Sequence, residues 1–435
     1  MELLVAVYMT LVMVALTTLL VGVMVWQTRG EVMESGLEGT YSTTVTARRL
    51  LRVLKKYNPR ANETTPQLIQ SNGYPAETHR VVTEDGYVLQ IHRIPFGRSR
   101  LKTPVGEENA PRPVAFLHHC LLCSSSDFVM NTPDKALAYM LADAGYDVWL
   151  ANARGNTYSR NHLTLSPDSK AFWQFSWNEM AIYDVPAAID YILNTTNQKD
   201  LYYVGFSMGT SVFWAMLSER PHYAAKIRFM VAMGPVAYVR NIKGPLGYAA
   251  PFVNQIELTL NLLGQYELLS FGPFMDRLLS TFCDEKRLSS YICSNILFLL
   301  CGPNPQELNK EFLPVMLSHT PAGTSVHTIT HYLQLVNSGK FRKYDYGKIY
   351  NYYHYKLPEP PVYNLSRVTT AVAVFSSDND WLADPQDVSH LVAELPNVVY
   401  KHRVTDHHFT HLDFVWALHA DKLVYQHLLQ VLAQY

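Results

Sequence analysis

The sequence predicts an α/β protein, a mostly parallel sheet flanked by helices and interrupted by one inserted helical unit. Short apolar runs suited to buried strands alternate with helix-length segments on both sides of the middle of the chain. That rhythm stops between residues 237 and 363, where helical stretches rich in Leu, Phe and Tyr are broken by Pro251, Pro273, Pro303 and Pro321. A Gly-x-Ser-x-Gly run, Gly205-Phe206-Ser207-Met208-Gly209, falls where an expected strand meets an expected helix.

From the N-terminus, residues 3–26 carry no charged side chain. This exceeds the roughly 7 to 15 apolar residues of a signal-peptide core and approaches the about 20 that span a bilayer, which favours a membrane anchor over a cleaved signal. No Lys or Arg precedes the segment, and Arg29 follows amid Glu31, Glu34 and Glu38, so flanking charge does not set its orientation. A polar linker with a basic patch (Arg48, Arg49, Arg52, Lys55 and Lys56) leads to a folded domain expected from Thr65. Residues 78–82 and 87–93 are β-rich and flank Glu84-Asp85-Gly86, which predicts a hairpin and an antiparallel start to the sheet. Strands are then expected at 114–118, 147–151, 201–204 and 229–233, and helices at 135–144, 178–193 and 210–219. After the insertion, strand 370–375, helix 385–395, strand 398–404 and a final helix at 420–433 resume the pattern. The implied organisation is an apolar segment (1–28), a linker (29–64), the first part of the sheet domain (65–236), a helical cap or lid (237–363) and the second part of the sheet domain (364–435).

Composition narrows the partners. With 48% hydrophobic and 17% charged residues the chain can bury a large core. Lys+Arg 36 against Asp+Glu 37 leaves no electrostatic footprint for nucleic acid or an anionic membrane. Asn62, Asn194 and Asn364 each begin an Asn-x-Ser/Thr site, usable for glycosylation only in the secretory lumen, which places the domain in the secretory pathway: secreted, lysosomal or membrane-anchored with a lumenal or extracellular domain. Five cysteines leave at least one without an intrachain partner. Cys120-x-x-Cys123 has neither a second CxxC nor a thioredoxin-like setting, so metal and redox roles are set aside, and no cofactor is expected.

Chance supplies a Gly-x-Ser-x-Gly match in about one chain of seven this long, so its setting matters more than its presence. A sharp strand-to-helix turn would force Ser207 into a strained backbone and require glycine at positions 205 and 209. A serine hydroxyl needs a base to become a nucleophile, and in the chain order Ser, acid, His that base lies near the C-terminus. Among His402, His407, His408 and His411, His411 is preferred because it precedes Leu412-Asp413-Phe414 and the last helix; His408 is the rival. Four acids follow strand 370–375. Asp384 and Asp387 have structural explanations, as N-cap before Pro385 and as first-turn acid. Asp378 and Asp380 remain, with Asp380 favoured. An oxyanion needs two amide donors, expected from Met208 and, in the loop after strand 114–118, from Leu121.

With these residues in place the chain resembles the animal acid lipases, the gastric and lysosomal acid lipase family, from about Thr65 to the C-terminus. Shared stretches include residues 83–87, 141–149, 154–160, 318–326, 381–388 and 411–414. The resemblance implies the α/β-hydrolase fold with an inserted cap and lid, the triad Ser207, Asp380 and His411, and oxyanion donors Leu121 and Met208. It also implies a Cys283–Cys293 disulfide with Cys301 free, and a lipid ester substrate met at a lipid–water interface. Apolar runs such as 256–263 and 296–300 could form a lid face or plain cap core. Two departures stand out: Cys120 where the family has Gly, and Phe206 and Met208 where it has His and Gln. The expectation is therefore a serine lipase or esterase for triacylglycerol or sterol ester. Its alternatives are a lipid carrier with an impaired oxyanion hole and a small-ester carboxylesterase. Oligomeric state is not legible.

Overall fold

An eight-stranded sheet organises the computed structural model, which describes residues 58–99, 112–268, 301–309 and 311–435. Residues 3–26, the basic linker, and Cys283 and Cys293 lie outside the described residues. The strands are β1 (Glu77–Val82), β2 (Val88–Ile94), β3 (Val114–His118), β4 (Asp147–Leu150), β5 (Leu201–Phe206), β6 (Ile227–Met233), β7 (Val372–Ser376) and β8 (Val398–Arg403). Their spatial order is β1-β2-β4-β3-β5-β6-β7-β8. The β1–β2 hairpin pairs antiparallel, β2 also meets β4 antiparallel, and every other pairing is parallel.

Successive side chains of a strand point to opposite faces, and here both faces are apolar. Val114, Phe116, Tyr203 and Val374 enter one core, whereas Ala115, Leu117, Val204 and Phe375 enter the other. The first core is covered by α2 (Val185–Thr196) and α3 (Met208–Glu219), through residues such as Ile189 and Phe213. α1 (Leu137–Asp143) and the C-terminal α7 (Gln426–Leu432) cover the second, through Leu141 and Leu428. Every strand tip of the parallel part therefore opens at one edge, where the loops after β3, β5, β6, β7 and β8 gather.

Two expected helices are less regular than their patterns suggest. The helix expected over 178–193 runs from Trp177 to Thr196 but contains a π turn at Met180–Asp184, just before Pro186. Proline has no N–H to give and its ring crowds the carbonyl four residues back, so a widened turn accommodates it. The final helix likewise opens with a π turn, Asp421–Tyr425. Within 237–363 the described helices include α4 (Val253–Leu262) and α5 (Val326–Ser338), which pack together through Val253 and Leu333. Leu335 of α5 reaches into the first core, tying the insertion to the sheet. α6 (Pro385–Glu394) begins as its sequence suggests: Asp384 Oδ1 accepts the Gln386 N–H at 2.9 Å, with Pro385 at the first helical position.

Arg154, fully buried after β4, joins three separate pieces of chain. Its guanidinium donates to Asp184 Oδ1 at 2.8 and 2.6 Å and to Asp85 Oδ2 and Oδ1 at 2.5 and 2.9 Å. The hairpin turn and the π turn are thereby held together. Arg154→Ala leaves Asp184 buried and uncompensated, and is expected to cost about 3–5 kcal/mol of stability, read as a lower urea midpoint with an unchanged slope.

Candidate active site

Ser207 follows the last residue of β5 and precedes the first of α3, with φ 54° and ψ −117°. A non-glycine residue holds such a backbone only where its surroundings enforce it. Here the Ser207 N–H donates to Met233 O at 3.0 Å, and Ser207 O accepts the Thr210 N–H and Oγ1–H at 2.8 and 2.7 Å. Both flanking glycines are sterically required. A Cβ on Gly205 would lie 2.8 Å from Gly209 O, and one on Gly209 would collide with the His118 carbonyl of β3. The chain bends so tightly that helix and neighbouring strand touch backbone to backbone.

His411 Nε2 lies 2.7 Å from Ser207 Oγ, and His411 Nδ1 lies 2.7 Å from Asp380 Oδ2. All three residues are buried. The remaining oxygen, Asp380 Oδ1, accepts the Leu382 and Ala383 N–H groups at 2.9 and 2.7 Å. Asp380 as carboxylate can only accept, so Nδ1 carries the imidazole proton and Nε2 is left to accept from the serine hydroxyl. The arrangement can move a proton off Ser207 and stabilise the resulting imidazolium. Gly234, at φ +50°, backs it: a Cβ there would stand 3.1 Å from His411 Cε1 and 3.4 Å from Asp380 Oδ2. Sequence reasoning passed over this residue, although Gly-Pro directly after a strand was a signal.

The rival residues are placed elsewhere. Asp378 binds the Arg403 guanidinium and lies 3.1 Å from His407 Nδ1. His408 is exposed and faces Asp406 at 3.6 Å. Asp387 accepts the Asn241 N–H and Nδ2–H at 2.8 and 2.9 Å, a structural tie between α6 and the chain leaving β6.

The loop after β3 carries Leu121, half-buried against the first core, and Leu122 at φ 63°. His118 of β3 pairs with Gly205, so this loop leaves the sheet beside the start of α3. Among the described residues, neither the Leu121 nor the Met208 N–H donates to a protein acceptor. Cys120 and Cys123 form a disulfide, which the sequence reading did not foresee, and Cys301 is buried and free. Donor atoms of Cys120, Cys123 and Asp127 cluster within 4.8 Å, but they are committed. The sulfurs are bonded to each other, and Asp127 accepts the Ser124 N–H at 2.9 Å and Trp416 Nε1–H at 3.0 Å.

Asp413, two residues beyond His411, is another group that sequence reasoning gave no role. It accepts the Thr410 N–H at 2.7 Å and Asn304 Nδ2–H at 2.9 Å, fixing the loop that carries His411. Burial pushes its pKa up to about 7 from 3.8, against the pull of those hydrogen bonds. A carboxyl whose folded pKa is raised adds stability that is complete below its unfolded value and is lost as pH rises through the folded one. The thermal midpoint of the wild type is therefore expected to fall relative to that of Asp413→Asn as pH rises from about 4 to 7. Parallel melting curves of the two proteins across that range check it.

Two family models match the chain: a partial alpha/beta-hydrolase lipase region over residues 65–132 and the alpha/beta hydrolase fold over residues 113–415. Gastric triacylglycerol lipase of Bos taurus is 41% identical over 385 residues, covering 87% of this chain and 93% of the relative. The same lipase of Homo sapiens is 40% identical, covering 87% and 94%. Lipase 3 of Drosophila melanogaster is 43% identical, covering 84% and 92%. A crystal structure of a lipase candidate from Sulfolobus solfataricus shares the fold, with a TM-score of 0.54 at 16% identity over 82% of this chain and 94% of that one.

Proposed function

The chain belongs to the α/β-hydrolase fold family and, within it, to the lipases related to gastric triacylglycerol lipase, and we propose that it is a serine lipase acting on neutral lipid esters, triacylglycerol or sterol ester. The observation that carries this reading is the buried relay Ser207–His411–Asp380, with both links at 2.7 Å. His411 Nε2 takes the proton of Ser207 as Oγ attacks the ester carbonyl carbon. The carbonyl oxygen becomes an oxyanion, which the Met208 and Leu121 amides stabilise. Collapse breaks the bond to the alcohol oxygen, which leaves with the proton from His411. Water, deprotonated by His411, then attacks the acyl carbon and releases the fatty acid, returning Ser207 to its hydroxyl form. No step calls for a cofactor.

Support for a lipid rather than a small soluble ester comes from the insertion, where Phe252, Leu258 and Leu262 on and beside α4 are 53%, 60% and 78% exposed. Apolar side chains held in water on one helix favour contact with a lipid surface. Chain-length profiling of the purified protein tests this. A lipase prefers long acyl chains presented as emulsion, and rates that peak on short, monomeric esters would move the assignment to a carboxylesterase.

The same reading puts the domain in the secretory pathway. Asn62, Asn194 and Asn364 are all exposed, as glycan attachment requires, and a disulfide suits an oxidising compartment. Among the described residues no helix is long and apolar enough to cross a membrane. Residues 3–26 would serve as signal or anchor, which N-terminal sequencing of the mature protein distinguishes.

A further inference from the structure

The turn after β3 carries a covalent closure for which ester hydrolysis by a serine relay has no need, the disulfide between Cys120 and Cys123. It spans a four-residue turn that also closes through the Cys123 N–H, 3.3 Å from Cys120 O. That same carbonyl has a second partner. The Ala153 N–H donates to His119 Nε2 at 3.0 Å, so the proton of this imidazole sits on Nδ1, which donates to Cys120 O at 2.7 Å. Burial, with a smaller effect from the His118 ring, pushes the His119 pKa down to about 3, so the ring stays neutral and the tautomer holds.

Two donors on one carbonyl fix the plane of the peptide that follows it. A peptide bond is planar, and the Cys120–Leu121 bond is trans, so the Leu121 N–H must point away from the side where His119 and the Cys123 amide hold the oxygen. The next residue works against this arrangement. Leu122 sits at φ 63°, a region that a side chain makes costly by about 1–3 kcal/mol and that persists only when the surroundings over-determine it. Its carbonyl is held from outside the turn by the Ala322 N–H at 2.7 Å, and the disulfide holds both ends of the turn from within.

We propose that the Cys120–Cys123 disulfide, together with His119, positions the Leu121 amide for the oxyanion, so that opening the bond disables the chemical step while leaving lipid binding in place. The inference rests on the lipase reading above. Cys120, Cys123 and His119 touch neither substrate nor reacting atoms in this account. They are positioning residues, acting through the Leu121 peptide. Opening the bond follows ordinary thiol–disulfide exchange: a dithiol gives up two electrons and two protons, the Cys120–Cys123 sulfur–sulfur bond breaks, two thiols form, and the reagent becomes its own disulfide.

The test is a dithiothreitol titration of the full chain, with kcat and KM measured on a triacylglycerol emulsion and folding followed by circular dichroism. Displacing one oxyanion donor is expected to lower kcat about 100- to 1,000-fold, with KM moving by less than about twofold and recovery on reoxidation. Cys120→Ala/Cys123→Ala should begin at the reduced level and ignore the reagent, which separates this bond from any other disulfide in the chain. If that variant does not fold, Cys123→Ser and the reversible titration of the wild type at constant circular dichroism decide the matter. An active oxidised enzyme whose kcat is indifferent to reduction overturns this inference alone. Loss carried by KM, or a double variant that responds as the wild type does, also overturns it. An oxidised wild type without esterase activity overturns the lipase reading itself.

Discussion

Replacing Ser207 by alanine is expected to lower kcat on a triacylglycerol emulsion by about 10⁵- to 10⁶-fold while leaving stability within about 1 kcal/mol of the wild type. The loss is this large because the hydroxyl is the atom that would form the acyl-enzyme, and His411 and Asp380 have nothing to activate without it. What would survive is stabilisation by the proposed oxyanion donors and substrate positioning, acting on a water molecule in poor geometry. Stability should hardly move, because Ser207 keeps its place through its backbone, its N–H on Met233 O and its carbonyl accepting from Thr210. Side-by-side initial rates and thermal melts check both halves. A variant within about tenfold of the wild-type rate would remove Ser207 from the mechanism.

Asp380→Asn is the second large effect, expected at about 10⁴-fold in kcat. The Leu382 and Ala383 amides demand an acceptor at the position of Oδ1, so the asparagine oxygen must settle there. Its NH₂ group then faces His411 Nδ1 from the position of Oδ2, 2.7 Å away. A donor at that place makes Nδ1 the acceptor and moves the imidazole proton to Nε2, where it can no longer take the serine proton. Geometry survives while the tautomer is wrong. Raising the pH should return little of the rate, since the fault is not an ionisation. Asp378→Asn is the control: its carboxylate binds Arg403 and His407, and kcat should stay within about twofold.

Much of this architecture is legible in the sequence, and the reason is periodicity. Strands buried on both faces leave uninterrupted apolar runs, so the strand expected at 114–118 appears as Val114–His118, buried throughout, while the edge strand expected at 398–404 appears as Val398–Arg403 with every second residue exposed. Local capping chemistry also spoke clearly: Asp384-Pro385 does begin a helix, which freed Asp380 for another role. Less legible was anything decided by three-dimensional neighbours. The π turn at Met180–Asp184 depends on Pro186 meeting a helix that packing keeps in place. The tethering of Asp413 depends on hydrogen bonds from Thr410 and from Asn304, the latter more than a hundred positions away, and the burial that raises its pKa against them is equally invisible in sequence. Cys120-x-x-Cys123 carries no mark of its partnership in sequence, because the same spacing suits a metal, a redox pair or a turn closed upon itself. The strained Leu122 was equally silent, since nothing in a leucine announces a positive φ.

The order of dependence is also visible in the fold. The sheet places the tips of β5, β6 and β7 side by side, and each contributes one part: Ser207, Gly234 and Asp380. The loop after β8 then returns His411 across that edge, anchored by Asp413. The Arg154 cluster ties the β1–β2 turn to the π turn and acts on stability rather than chemistry.

The most direct test of the account is labelling of the purified protein with a fluorophosphonate, followed by mass spectrometry to find the modified residue. The reagent requires a serine activated by a base and a site that stabilises its anionic phosphoryl group. The account predicts one label per chain on Ser207, lost in Ser207→Ala and nearly lost in His411→Ala. No label would contradict it and leave a lipid-binding protein on a hydrolase fold, and a label that persists in both variants would contradict it by placing the activated nucleophile elsewhere.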